Sequence, residues 1–181
     1  MSLPPGPITA PYINEGQSVQ PEWIDLNGHM NVAWYLTAFD LAFDKPYQRM
    51  GITQEALEKT GSSTFAAEMH ITYQRELLLG DPLRIETQLI GFDTRRMHWI
   101  QVMYHAIKGY RAATAEWLIL HVDIRQRRVV TMPDYLQAEL KAIQKAHAHL
   151  PRPPETGRRI DLENRKPAAD RIQSSSNLPL R

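Results

Sequence analysis

Hydrophobic and polar positions change period along this chain, and each change marks an element. Val32, Leu36, Phe39 and Phe43 recur at four, three and four residues, the spacing that lines up one face of an α-helix. Trp34, Tyr35, Ala38 and Ala42 widen that face, so the helix is expected to be covered on more than one side and to end or kink at Pro46. A shorter helix is expected from Thr53 as N-cap to about Lys59, with Gly61 as its stop. The period then becomes two. Phe65, Ala67, Met69, Ile71 and Tyr73 alternate with Thr64, Glu68, His70, Thr72 and Gln74, which predicts a strand with one apolar face.

Further strands are expected over 83–90, 96–108 and 110–124, separated by Gly80-Asp81-Pro82, Gly91-Phe92-Asp93 and Gly109. The polar tip Arg125-Gln126-Arg127-Arg128 precedes a short Val129-Val130 continuation. At the front, residues 1–15 read as an extended lead-in, and Ser18 to Ile24 as a short edge strand broken by Pro21. Thr131 and Pro133 open a last helix bearing Leu136, Leu140 and Ile143, stopped by Pro151-Arg152-Pro153-Pro154. Residues 151–181 are then expected to form a mostly flexible tail, since the stretch after Pro154 carries six basic and four acidic side chains and few large apolar ones. A buried helix after a first strand, followed by an antiparallel meander and a C-terminal helix, is an α+β fold in which the sheet wraps the helix, with one domain over 16–150.

Composition narrows the chemistry. A chain of 181 residues, 43% hydrophobic and 23% charged, suits one soluble core. The net charge of +1 supplies no general attraction to nucleic acid or anionic lipid. The absence of cysteine excludes disulfides, a cysteine nucleophile and thiolate metal ligation. With no basic, apolar leader and no membrane-length apolar run, a cytoplasmic protein is the expectation. Seven histidines include His98, His105 and the His121-Val122-Asp123 strand end, yet none forms a tight ligand motif, so no metal is expected.

The turn Asp25-Leu26-Asn27-Gly28-His29-Met30-Asn31 places a carboxylate just ahead of a helix whose first N–H groups lack internal partners. Such a turn can offer a base or nucleophile beside donors for an oxyanion. It can equally be a helix cap with a glycine serving the turn. Residues Val19 to Asn31, followed by the apolar helix, resemble the opening of the hotdog thioesterases of the 4-hydroxybenzoyl-CoA thioesterase type. Within that superfamily they are similar to the betainyl-CoA thioesterases of carnitine breakdown, which share the Asp-x-Asn-Gly-His-Met-Asn turn. Ile71 to Leu77, Gly80-Asp81-Pro82-Leu83-Arg84 and Met103-Tyr104-His105-Ala106 extend the resemblance over about residues 15 to 145.

The resemblance implies a hotdog fold and hydrolysis of an acyl-CoA thioester, with CoA as part of the substrate and no separate cofactor. It implies that Asp25 acts as nucleophile or general base and that a backbone amide around Asn31 and Val32 polarises the carbonyl. His29 and Asn31 are candidates to orient substrate or water, beside Gly28 and Met30 in the turn. Glu68 is the rival carboxylate, because some hotdog thioesterases draw a glutamate from another element. For the CoA phosphates the leading basic candidates are Arg75, Arg95, Arg96 and Lys108, with Arg111, Arg125, Arg127 and Arg128 behind them. Trp34, Tyr35, Trp99, Tyr104 and Trp117 are candidates for an aromatic cage around a betainyl ammonium, or for ordinary core packing. An exposed sheet edge and the resemblance together predict a homodimer or homotetramer. Two other functions remain open at this point: a hotdog hydratase or dehydratase that pairs Asp25 with His29, and a non-catalytic acyl-CoA sensor.

Overall fold

The computed structural model describes residues 7–162. Its elements are β1 (Tyr12–Ser18), a 3-10 turn (Pro21–Trp23), α1 (Val32–Leu41), α2 (Asp44–Met50), α3 (Gln54–Thr60), β2 (Ser62–Tyr73), β3 (Pro82–Phe92), β4 (Arg96–His105), β5 (Arg111–Asp123), β6 (Arg128–Val129) and α4 (Asp134–His147). The sheet is antiparallel in the order β1-β3-β4-β5-β2, with the short β6 beside β5. It wraps α1, the hotdog arrangement expected from the sequence. β1 and β2 form its two edges.

The core lies between α1 and the inner sheet face. Phe39 and Phe43 are fully buried there, and the Phe43 ring meets Trp99 and Trp117 edge-on at 5.9 and 5.4 Å. Buried Gln101 ties helix to sheet. Its amide nitrogen donates to Phe39 O at 2.9 Å, and its oxygen accepts from Trp117 Nε1 at 2.8 Å. Gln101 and Trp117 thus satisfy each other inside the apolar layer, which offsets the cost of burying them, while Trp99 Nε1 is buried there without a partner.

Four expectations shift. The first strand is β1, within the expected lead-in, while Pro21–Trp23 forms the 3-10 turn: a proline lacks the N–H a strand ladder uses. The predicted stripe on α1 is rotated. Val32 and Leu36 are 58% and 40% exposed, whereas Tyr35, Ala38, Phe39 and Ala42 face the sheet. Pro46 neither ends nor kinks α1; it sits in the first turn of α2, where a missing N–H costs no helical bond. In β2 a bulge at Ala67 puts Ala66 opposite Ile119 and Glu68 opposite Leu118. The extra residue switches faces, so Phe65 points outward at 51% exposure while Met69 and Ile71 pack on the core.

Other boundaries match. Thr53 Oγ1 caps α3 by accepting from Ala56 N–H at 3.2 Å, and Gly61 stops it at φ +70°. Leu136, Leu140 and Ile143 bury one side of α4. Beyond it, Glu155 accepts from Arg111 and Gln74, and Gly157 N–H donates to Glu116, so this segment lies on the outer sheet face. The rest of the expected tail, 163–181, and lead-in residues 1–6 lie outside the described residues.

Candidate active site

Residues 24–30 form a small closed loop. Ile24 and Met30 pair as an isolated antiparallel bridge, Asp25 N–H donates to His29 O at 3.0 Å, and Gly28 N–H donates to Asp25 O at 3.0 Å. Gly28 adopts φ +79°, a conformation that side chains with a Cβ resist. Asp25 Oδ1 accepts from Asn27 N–H at 2.8 Å, an Asx turn that fixes the carboxylate's direction. The carboxylate is 20% exposed, and His29 Nδ1 stands 3.8 Å from it.

The loop delivers the chain into α1. Asn31 N–H donates to Trp23 O at 2.8 Å, and Asn31 Oδ1 accepts from Ala33 N–H at 3.0 Å as the N-cap. Trp34 N–H reaches Asn31 O at 3.0 Å. At the opening of this helix, Val32 N–H has no acceptor among the described residues. The turn thus presents one carboxylate and one open amide at the positive end of a ten-residue helix.

A second layer holds the turn in place. Met30 N–H donates to Leu77 O at 2.8 Å. The following loop is clamped by Asp81, whose Oδ2 accepts from Leu78 N–H at 2.9 Å and whose Oδ1 lies 3.1 Å from His105 Nε2. Ile107 and Lys108 N–H both donate to His105 Nδ1, which assigns the ring proton to Nε2, facing Asp81. Burial pushes the Asp81 carboxyl up, but the Leu78 amide, His105 and Lys108 together hold it below the usual carboxylate range. Tyr35, on the first turn of α1, packs edge-on against Tyr73 at 5.2 Å. Burial pushes its phenol up to about 12, against the opposing Leu77 backbone, so Tyr35 is a neutral wall and not a base.

The structure therefore gathers Asp25, Gly28, His29, Met30, Asn31 and Val32, with Tyr35 and Trp34 beside them; Trp34 stacks on Trp23 at 5.3 Å. Arg75 stands nearby, its guanidinium 4.1 Å above the Tyr110 ring, whose hydroxyl donates to Glu76 O. The other candidates lie elsewhere in the chain. Glu68 is exposed on the outward face of β2. Trp99 is fully buried beneath Phe43, at the far end of α1 from the turn. Arg95 and Arg96 flank the β3–β4 turn, where Arg96 pairs with Asp93 at 2.6 Å. That turn is at the opposite end of β3 from the Leu77–Asp81 loop, about 30 Å along an eleven-residue strand. Tyr104 lies on the outer face under Arg84. Among the described residues no group of three or more His, Asp or Glu side chains is placed to hold a metal, and no helix is long and apolar enough to cross a membrane.

Sequence reasoning missed a cleft of about 290 Å³ between the C-terminal half of α1, α2, α3 and strands β2 and β5. Phe43, Tyr47, Trp117 and Asp40 line it. Asp40, Phe43 and Tyr47 are spaced at i, i+3 and i+7, a helical face that the sequence displayed and that the apolar stripe obscured.

Comparison with known proteins identifies the family of the chain. The profile of the thioesterase-like superfamily matches residues 19–140. A betainyl-CoA thioesterase of Pseudomonas aeruginosa is 33% identical over 144 residues, covering 80% of this chain and 91% of that protein. An L-carnitine dehydrogenase/betainyl-CoA thioesterase of Rhizobium meliloti is 34% identical over 142 residues; the match covers 78% of this chain but only 28% of that longer protein. Among solved structures, a Staphylococcus aureus protein determined in complex with CoA superposes with a TM-score of 0.79 at 24% identity, covering 88% of this chain and 99% of that one. A 1,4-dihydroxy-2-naphthoyl-CoA thioesterase of Synechocystis shares the fold at TM-score 0.63 and 14% identity, over 80% of this chain and 100% of its own. The chain belongs to the thioesterase-like superfamily, whose hotdog enzymes hydrolyse acyl-CoA thioesters.

Proposed function

We propose that this protein hydrolyses a small acyl-CoA thioester, betainyl-CoA first among them, at the Asp25 turn. The observation that carries the reading is the pairing of a directed carboxylate with the open Val32 amide at the start of α1. In the general-base route, Asp25 takes a proton from water as its oxygen attacks the thioester carbon. The carbonyl oxygen becomes an oxyanion facing Val32 N–H and the helix N-terminus. When the oxyanion collapses, the C–S bond breaks, the CoA sulfur leaves with a proton returned from Asp25, and the acid is released. In the nucleophilic route Asp25 attacks first, and water then resolves the acyl anhydride to the same products. Asn31 and Gly28 act by shaping the turn, and His29 lies beside the carboxylate to orient water. The betainyl assignment draws on the acyl group named in the two relatives.

A homodimer through the β2 edge fits the surface. The middle of this edge strand, residues 65–68, is exposed, and Val32 and Leu36 leave an apolar strip on the open side of α1. Arg75 is the basic residue best placed for a CoA phosphate. The test is release of CoA thiol from betainyl, short aliphatic, long aliphatic and aryl thioesters, read with a thiol reagent that finds no protein cysteine. Turnover with a preference for betainyl-CoA is expected. Binding of acyl-CoA with no turnover of any of them overturns the hydrolase reading.

A further inference from the structure

We propose that Asp81 and His105 are positioning residues for the reaction: their buried pair fixes the loop over 76–81 and, through the Leu77 carbonyl, the Asp25 turn ahead of α1. Two stretches far apart in the sequence, Gly80 to Arg84 and Met103 to Ala106, meet at this pair. The side chains are 2% exposed at His105 and 13% at Asp81. Both Asp81 oxygens are engaged: Oδ2 accepts from Leu78 N–H at 2.9 Å, while Oδ1 faces His105 Nε2 at 3.1 Å and Lys108 Nζ at 3.6 Å. The Tyr110 ring lies 5.1 Å from that of His105, and its hydroxyl donates to Glu76 O at 3.2 Å. The loop is thus gripped at Glu76 and at Leu78, on either side of fully buried Leu77. Leu77 O accepts from Met30 N–H at 2.8 Å, between the Asp25 carboxylate and the Val32 amide.

The sheet is held without this pair. Arg75 N–H donates to Ala112 O at 3.1 Å, Gly80 N–H to Val19 O at 2.9 Å and Val19 N–H to Asp81 O at 3.0 Å, and from Pro82 onward β3 is paired to β1 and β4. Removing the pair therefore frees the middle of the loop and leaves its ends in place. A buried carboxylate and imidazole add little net stability, because desolvation offsets much of their attraction. What they add is direction. His105 Nδ1 is taken by the Ile107 and Lys108 amides at 3.2 Å, so the Nε2 proton has one destination, the Asp81 carboxylate. That carboxyl is held below the usual range against its own burial, which keeps it an acceptor near neutrality. A displacement of about 1 Å at the reacting groups costs about a hundredfold in rate, so a turn left loose at Met30 lowers turnover even though Asp25 and Val32 are intact.

Three variants of the full chain test this. Asp81→Asn keeps the size but sets an amide N–H against a donor, either Leu78 N–H or His105 Nε2–H. His105→Leu removes the donor, and His105→Gln returns an amide N–H near the place of Nε2. The inference rests on the hydrolysis proposed above, so one readout is independent of turnover: amide hydrogen exchange, resolved by NMR. Met30 N–H should exchange at least about tenfold faster in Asp81→Asn and His105→Leu, with the paired amides of β4 and β5 within about twofold of wild type. The second readout is steady-state CoA thiol release from the best thioester of the wild-type protein. In the same two variants kcat should fall by about ten- to a hundredfold and KM should stay within about threefold, the mark of misplaced chemistry rather than lost binding. His105→Gln should recover most of both losses. An unchanged Met30 rate, an equal rise across β4 and β5, a change in KM alone, or a His105→Gln protein no better than His105→Leu overturns the inference. If the wild-type protein turns over no thioester, the proposed hydrolysis fails, and the Met30 rates still decide whether the pair holds the turn.

Discussion

Replacing Asn31 by alanine removes the oxygen that holds Ala33 N–H at 3.0 Å and so uncaps α1. Loss of such a cap costs about 1 kcal/mol, within a range of roughly 0.5–2. For a domain of this size the melting temperature should fall by about 2–4 °C. The same cap holds the first turn, and with it Val32 N–H, where the oxyanion would form. A penalty of about 1 kcal/mol shifts that turn's population by at most roughly fivefold, which bounds the fall in kcat. Outright loss of an oxyanion donor would cost about a hundred- to a thousandfold. Asn31→Ser keeps an acceptor and should preserve both quantities. Thermal melts and steady-state thiol release on the three proteins decide the matter. An unchanged melting temperature in Asn31→Ala refutes the cap. A hundredfold loss of kcat in both variants, with the fold intact, refutes the indirect role and makes the Asn31 side chain a substrate contact.

Other outcomes follow from the same geometry. Buried His147 accepts from Leu89 N–H at 3.0 Å and lies 3.0 Å from Thr9 O; burial lowers its pKa below 6.5, against the Thr9 carbonyl and with His149 adding to the fall. Its folded value thus lies below its unfolded one, so its contribution is intact above about pH 6.5 and is lost as the pH falls. The melting temperature should decline from about pH 7 to 5, and His147→Gln should flatten that slope, leaving the part owed to His121, which burial shifts the same way. Gly61 has φ +70°, and a Cβ there would approach Arg125 Nε to 2.9 Å. Gly61→Ala should destabilise by about 1–2 kcal/mol in denaturant titration, mainly through the backbone, since the Arg125 side chain can move aside. Leu36→Glu puts a charge on the apolar strip of α1, and if the proposed homodimer forms through this face, light scattering should show it shifting toward monomer with turnover falling in parallel.

The sequence carried the helix-to-meander order and the Asp25 turn because both depend on local signals. Period, glycine stops and an Asp-x-Asn-Gly turn act over a few residues, and Thr53, Gly61 and Gly28 each do what their chemistry predicts. What stayed hidden depends on partners distant in sequence. The Ala67 bulge is set by pairing with β5, so strict alternation misplaced Phe65. The apolar residues of α1 covered both a core face and an open face, and spacing alone chose Val32 and Leu36 for the wrong one. The candidate arginines were indistinguishable in sequence, and only the fold separates Arg75, beside the turn, from Arg95 and Arg96 at the far end of β3. Trp117 reaches the aromatic cleft while Trp99 remains core, a distinction fixed by how α1 and α2 lie on the sheet.

The proposed hydrolysis depends on the Asp25 carboxylate, which an isosteric substitution removes without removing the turn. Asp25→Asn can retain an oxygen for Asn27 N–H, so the turn and the melting temperature should persist while the base or nucleophile is lost. CoA thiol release from the best thioester of the wild-type protein should fall by at least about a hundredfold. Full activity in a folded Asp25→Asn protein would contradict the account and move the chemistry to another carboxylate, with Glu68 the first to examine.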